Sequence, residues 1–207
     1  MIRLVVVEDH PAIAEALAGL LRMEPDIEVL GVATDPARAE QLIMGHTPDV
    51  VLCDVRMEDR DAGFELAARL AAHSRFLMLT AYDLQGYHVR AIRAGAAGFL
   101  SKMSDTKTIA TTIRRVHEGH RGFSPDVLRS AATAPPTPTH RELQLLERLA
   151  EGATNDLIAT TLGVRVKTVE GMLRRLFDRY DVENRTQLAR FAAHQGWVSA
   201  WVPTPSS

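Results

Sequence analysis

The chain has 207 residues, 46% of them hydrophobic and 24% charged, with a formal net charge of −2. This length suffices for one domain of ordinary size and a second small one, each with its own core; the near-neutral balance excludes a blanket affinity for polyanions, so any nucleic-acid contact must come from a local patch. The N-terminal apolar run Leu4–Val7 is too short for a signal peptide or a membrane span, so the cytoplasm is the expected compartment and no membrane partner is expected.

Through about residue 120, short β-branched runs alternate with helical stretches, the pattern of a parallel sheet wrapped by helices. Strands are predicted at Ile2–Val7, Ile27–Ala33, Val50–Cys53, Phe76–Thr80 and Ala97–Leu100. Pro11–Met23 places Ile13, Ala16, Leu17, Leu20 and Leu21 on one helical face, and Pro11 suits a first helical position. Further helices are predicted at Pro36–Met44, Gly63–Ala72, Leu84–Ala94 and Asp105–Glu118. The alternation implies an α/β domain over residues 1–125, a five-stranded parallel doubly wound (flavodoxin-like) sheet. The single cysteine, Cys53, lies inside an apolar run and reads as a small buried hydrophobe.

Ser130–Pro138 has no apolar periodicity and holds Pro135, Pro136 and Pro138, so residues 126–138 are expected to be a linker, extended and semi-rigid over that stretch. The second domain, 139–207, reads as a small all-α unit through residue 195, broken at Gly152, Gly163 and around Asp181–Glu183. Three amphipathic helices, His140–Glu151, Asn155–Leu162 and Lys167–Asp181, with a short turn over Gly163–Val166, have helix-turn-helix spacing. The third offers Val169, Leu173, Leu176, Phe177 and Tyr180 for burial and Lys167, Arg174, Arg175 and Arg179 for phosphate. Residues 1–138 carry 15 Lys and Arg against 18 Asp and Glu, whereas 139–207 carry 9 against 8, so the acidic and basic roles fall in different halves. Trp197 and Trp201 fit either core coverage or a dimer seam, with core or helix-end packing the expectation, and Pro203–Ser207 is expected to be disordered.

In a parallel doubly wound sheet, ligands gather beyond the carboxyl ends of the strands, which brings Glu8, Asp9, Asp54, Thr80 and Lys102 together. Crowded carboxylates repel unless a cation joins them, and hard oxygen donors with room for water suit Mg²⁺. Such a site fits phosphoryl transfer: one carboxylate oxygen attacks in line, the ion neutralises charge, and Lys102 pairs with the transferred oxygens.

These residues resemble the receiver domain of two-component response regulators over residues 1–125, in the subfamily that carries a LuxR-type DNA-binding domain. The resemblance rests on Val7-Glu8-Asp9-His10-Pro11, on Asp54 ending the third strand, on Leu79-Thr80-Ala81 and on Gly98-Phe99-Leu100-Ser101-Lys102. It implies Asp54 as phosphoryl acceptor, Asp9, Asp54 and the Arg56 carbonyl as Mg²⁺ ligands with Glu8 acting through water, and Thr80 with Phe99 as the switch pair. In that reading the Thr80 hydroxyl moves to a phosphoryl oxygen, the Phe99 ring turns into the vacated space, and the face of the fourth and fifth helices changes. His10 reads as a loop residue without chemistry. The loop Met57-Glu58-Asp59-Arg60-Asp61-Ala62-Gly63 departs from the family by lacking a proline after Met57, so Glu58 is expected to place an extra carboxylate near the pocket.

Residues 139–195 resemble the LuxR-type helix-turn-helix domain through Thr139-His140-Arg141-Glu142, Leu149-Ala150-Glu151-Gly152, Leu162-Gly163, Lys167-Thr168-Val169 and Asn184-Arg185-Thr186-Gln187-Leu188. The resemblance implies that Lys167, Thr168, Glu170, Gly171 and Arg174 meet the major groove and its flanking phosphates, with Arg175 beside them. Arg165 departs from the small hydroxyl residue that commonly caps the recognition helix, and Glu170 from the usual basic residue.

The sequence therefore reads as a phosphorylation-controlled transcription regulator whose partners are double-stranded DNA, a histidine kinase and a second copy of itself on DNA, because one module contacts few base pairs. The alternative is a phosphorylation-independent DNA-binding regulator whose receiver serves mainly for dimerisation. A Mg²⁺-dependent hydrolase using Asp54 as nucleophile is disfavoured, since no separate acid/base residue is apparent and the helix-turn-helix would be surplus; the chain is not expected to be an enzyme.

Overall fold

The computed structural model describes residues 1–57, 61–81, 85–123 and 125–198; the expectations for Glu58, Trp201 and Pro203–Ser207 lie outside them. The described residues form two compact units, one of residues 1–81 and 88–132 and the other of residues 85–87 and 133–198.

In the first unit, β1 (Ile2–Val7), β2 (Ile27–Ala33), β3 (Val50–Asp54), β4 (Arg75–Thr80) and β5 (Gly98–Ser101) form one sheet in the order β2-β1-β3-β4-β5. Every pairing is parallel, and the order is the flavodoxin-like one expected of the sequence. A sheet covered on both faces explains why its strands are runs of Val, Leu and Ile rather than alternating patterns. Leu4, Val6, Leu52, Leu77 and Leu79 form one core with Ala18 and Leu21 of α1 (Pro11–Arg22) and Ile109 and Ile113 of α5 (Thr106–His117). Their neighbours Val5, Val7, Val51, Cys53 and Met78 are equally buried and point the other way, where α2 (Pro36–His46) and α3 (Ala62–Leu70) pack on each other. The fourth helix, α4, spans Gln85–Arg93.

Helix starts follow local chemistry. Asp35 accepts from the Arg38 backbone at 2.8 Å and Asp105 from that of Thr108 at 2.6 Å, capping α2 and α5. The expected extended spacer is corrected in part: Pro125–Thr133 is a helix, α6, and only residues 134–139 are irregular. Pro125 stands at its start, where a missing N–H costs nothing, and the prolines that suggested an extended chain all lie beyond its end.

The second unit is α7 (His140–Ala150), α8 (Asn155–Leu162), α9 (Val166–Tyr180) and α10 (Arg185–His194) around a core of Leu145, Leu149, Ile158, Val169, Leu176 and Leu188. α10 falls inside the stretch expected to be helical. Trp197 is buried against Tyr180 and Phe191, with ring centroids 4.9 and 5.5 Å away, as core packing requires. Tyr180 also donates its hydroxyl to the Pro136 carbonyl at 2.9 Å, which fastens the end of the connecting segment to this unit. Among the described residues no helix is long and apolar enough to cross a membrane.

Three of the four helix starts in this unit are closed by the side chains of Thr139, Thr154 and Asn184, but Arg165 at the N-cap of α9 makes no side-chain cap bond. Arg165 has the extended backbone (φ −80°, ψ 150°) that a capping residue needs. Arg165→Ser should therefore stabilise the second unit by about 1 kcal/mol in denaturant titration; an unchanged or lower midpoint would contradict this account of the helix start.

Candidate functional site

Four of the five strands deliver functional side chains to the same rim, because parallel strands in register end together. β1 hands on to Glu8 and Asp9, β3 ends in Asp54, β4 in Thr80, and β5 leads into Lys102. Backbone bonds extend the register past the strands: Glu8 N–H donates to Ala33 O at 3.0 Å, Val55 N–H to Leu79 O at 2.9 Å and Lys102 N–H to Thr80 O at 2.7 Å. A cleft of about 420 Å³ results, lined by Asp9, His10, Ile13, Asp54, Arg56, Thr80, Ala81 and Lys102.

Lys102 Nζ joins the two most buried carboxylates, lying 2.6 Å from Glu8 Oε2 and 2.8 Å from Asp54 Oδ2. Glu8 and Asp54 are only 1% and 4% exposed, so their charges depend on that ammonium group. Burial pushes the Asp54 carboxyl above its ordinary value, with Lys102 partly opposing it. Burial also opposes the charge on Lys102, but its bonds to Asp54 and Glu8 outweigh this and raise its pKa. The Arg56 backbone N–H donates to Asp54 Oδ1 at 3.3 Å. Cys53 beside it is fully buried, and burial lifts its thiol far out of the reactive range, in keeping with an inert core residue.

His10 stands at the loop position expected of it, just before α1, and its side chain meets the two carboxylates that precede it. Its Nδ1 lies 2.7 Å from Asp9 Oδ1 and 3.2 Å from Glu8 Oε1, and its hydrogen bond to Asp9 raises its pKa. Ligand atoms of Glu8, Asp9 and His10 all lie within 4.8 Å of one another. The only signal for this in the sequence is adjacency to two carboxylates.

Two further residues shape the rim. A Cβ on Gly63 would fall 2.1 Å from the Asp54 carbonyl oxygen, so only glycine lets the start of α3 press against the strand end that carries Asp54. Phe99 is buried, and the His88 ring of α4 stands edge-on to it at 4.4 Å between centroids. Thr80, His88, Phe99, Phe123 and Val127 line an adjoining space of about 250 Å³, and the Phe99 N–H donates to Gly122 O at 3.2 Å.

In the second unit, Gly163 takes a left-handed conformation (φ 62°) that turns the chain from α8 into α9. α9 buries Val169, Met172, Leu173, Leu176 and Tyr180 and leaves Lys167, Thr168, Glu170, Arg174 and Arg175 exposed on its other side. Gly171 lies among them, and a Cβ there would meet nothing nearer than the flexible Arg175 guanidinium at 3.9 Å. Arg179 is a correction: it is engaged by Glu142, with Nη1 to Oε2 and Nη2 to Oε1 both at 2.9 Å, so it ties α9 to α7 instead of facing outward for phosphate. Glu142 also accepts from the Thr139 N–H at 2.8 Å while Thr139 Oγ1 accepts from the Glu142 N–H at 3.3 Å, a reciprocal cap on α7.

Comparison with known proteins places both halves. The family description "Response regulator receiver domain" matches residues 4–114, and "Bacterial regulatory proteins, luxR family" matches residues 138–192. Transcriptional regulatory protein DesR of Bacillus subtilis (strain 168) is 31% identical, the alignment covering 95% of this chain and 99% of that protein. Transcriptional regulatory protein LiaR of the same organism is 34% identical, over 93% of this chain and 97% of LiaR. Among solved structures, the response regulator ChrA of a heme-sensing two-component system superposes with a TM-score of 0.53 at 29% identity, over 95% of this chain and 98% of ChrA. The receiver domain of the response regulator NarL from Mycobacterium tuberculosis gives 0.55 at 35% identity, over 57% of this chain and 98% of that domain.

The Glu142 bonds carry a pH dependence. Burial pushes this carboxyl up, but Arg179 and Thr139 together outweigh it and hold its pKa below the ordinary 4.5. A carboxyl whose pKa is lower folded than unfolded adds stability above its unfolded value and loses it as pH falls through the folded one. Glu142→Gln should cost the second unit about 1–3 kcal/mol near neutrality and flatten its loss of stability on acidification below that value; an acid transition identical to wild type would contradict this.

Proposed function

The chain belongs to the response regulators that join a receiver domain to a LuxR-type DNA-binding domain, and we propose that a phosphoryl group on Asp54 controls its hold on DNA. The observation that carries this reading is the Lys102 ammonium group suspended between Glu8 and Asp54 at the end of β3. The same chain bears a helix-turn-helix whose α9 leaves Lys167, Arg174 and Arg175 exposed.

Asp54 can act as nucleophile only as a carboxylate. Burial works against that form, and Lys102 and the Arg56 N–H partly offset it by donating to its two oxygens. One of those oxygens attacks phosphorus in line; the new P–O bond forms as the bond to the donor, a phosphohistidine of a histidine kinase, breaks. Lys102 then faces a phosphoryl group carrying more charge than the carboxylate it replaces.

The carboxylates of Glu8, Asp9 and Asp54 are all hard oxygen donors: Glu8 and Asp54 share the Lys102 ammonium group, Asp9 lies beside Glu8 and lines the same cleft as Asp54, and such a set fits Mg²⁺. These residues and the Arg56 carbonyl would hold the ion, which when bound supplies charge neutralisation to the transferring oxygens. Thr80, buried at the end of β4, offers its hydroxyl to the phosphoryl oxygens, and Phe99 on the neighbouring strand answers that movement. The output side is Lys167, Thr168, Glu170, Gly171, Arg174 and Arg175 of α9. Lys167 and the arginines serve phosphates or guanine, and Glu170 is suited to accept from a cytosine amino group. Two copies on paired half-sites give the specificity that one module lacks, and the cytoplasm is the setting.

The test is DNA affinity before and after treatment with acetyl phosphate and Mg²⁺, on a duplex selected with the wild-type protein, for wild type and Asp54→Ala. Wild type should gain about fivefold or more on treatment and the variant should not change. An equal affinity of treated and untreated wild type, matched by the variant, would favour the phosphorylation-independent reading.

A further inference from the structure

Asp61 occupies the N-cap of α3 yet makes no side-chain cap bond, unlike Asp35 and Asp105 at the corresponding places of α2 and α5. An uncapped helix start gives up about 1 kcal/mol that the same residue type could supply. The Asp61 carboxylate goes elsewhere: Oδ2 accepts from Arg90 Nη1 of α4. Both side chains are sheltered, 14% and 19% exposed, so the pair is weakly screened and the loss of either partner leaves a largely buried charge.

The Arg90 guanidinium also lies over the Phe64 ring, 4.5 Å from its centroid. Phe64 is buried and follows Gly63, whose backbone presses on the Asp54 carbonyl. A continuous path of packed groups thus runs from the main chain of Asp54 through Gly63, Phe64 and Asp61 to Arg90. On the same helix His88, two residues away and so on a different side, stands edge-on to Phe99. α4 is gripped from two directions, by the segment that follows Asp54 and by the aromatic ring on β5.

From this geometry we infer that Asp61 and Arg90 are positioning residues that tie the segment after the phosphoryl acceptor to α4, so that α4 responds to the state of Asp54 through an ion pair as well as through Thr80 and Phe99. The inference rests on the reading of Asp54 given above. It names a route that is separate from the switch pair, made of side chains 29 residues apart in sequence.

The full chain treated with acetyl phosphate and Mg²⁺ provides the test, with Asp54 labelling read by mass spectrometry and the response of α4 by amide hydrogen exchange of a peptide spanning residues 85–93. Wild type should label and change its exchange in that peptide. Asp61→Asn, which keeps the side-chain shape, and Arg90→Gln should label to the wild-type extent while the exchange change falls about threefold or more, and the double variant should lose no more than either single one. Arg90→Lys, which keeps the charge but gives up the planar stack on Phe64, is the milder variant and should retain part of the response. A full exchange response in all three single variants, losses that add in the double variant, or a labelled wild type whose α4 exchange never changes would each overturn the inference and leave the Asp54 reading standing. An unlabelled wild type would instead overturn the Asp54 reading.

Discussion

The ion pair on which the first unit turns is the Lys102 ammonium group shared by Glu8 and Asp54. Two carboxylates this deeply buried cannot both stay charged in a protein interior without a compensating cation. The fold supplies it by ending adjacent parallel strands at one level, so that residues from β1, β3 and β5 meet although they lie far apart in sequence. Any group that adds charge to Asp54 must rearrange this balance, and that is why a chemically small event at the rim can have mechanical consequences around it.

Those consequences depend on stiffness. Main chain packs without slack at two places: at the rim, where Gly63 holds the start of α3 against Asp54, and at the amino end of β5, where Gly98 and Gly122 pair. Close-packed interiors transmit displacement rather than absorb it. The second unit is built on the same economy with different parts: Arg179, Glu142 and Thr139 lock α7 to α9, and Tyr180 holds the chain that enters the unit. This leaves the basic residues of α9 that have no such duty exposed along one side of the helix.

Most of the fold was legible because buried parallel strands announce themselves as uninterrupted β-branched runs; all five were placed within one residue of their observed ends. The strand-end residues were legible for the same reason, since topology alone dictates where they converge. Pairings across the chain were not. Arg179 looked like any exposed basic residue because its partner Glu142 sits 37 positions earlier, and nothing local distinguishes Asp61 from an ordinary cap. α6 was hidden by the neighbouring prolines, whose composition outweighed the short apolar signal of Val127 and Leu128. The contacts of His10 come from the two carboxylates before it rather than from any spacing.

The most direct measurement of the central claim is residue-level mapping of the phosphoryl group by peptide mass spectrometry after exposure to acetyl phosphate, with Mg²⁺ present and with Mg²⁺ removed by chelation. A single label is expected, on Asp54, that depends on the ion and is strongly reduced in Lys102→Ala. A label on another residue, or labelling of Asp54 that is indifferent both to the ion and to the loss of Lys102, would contradict it.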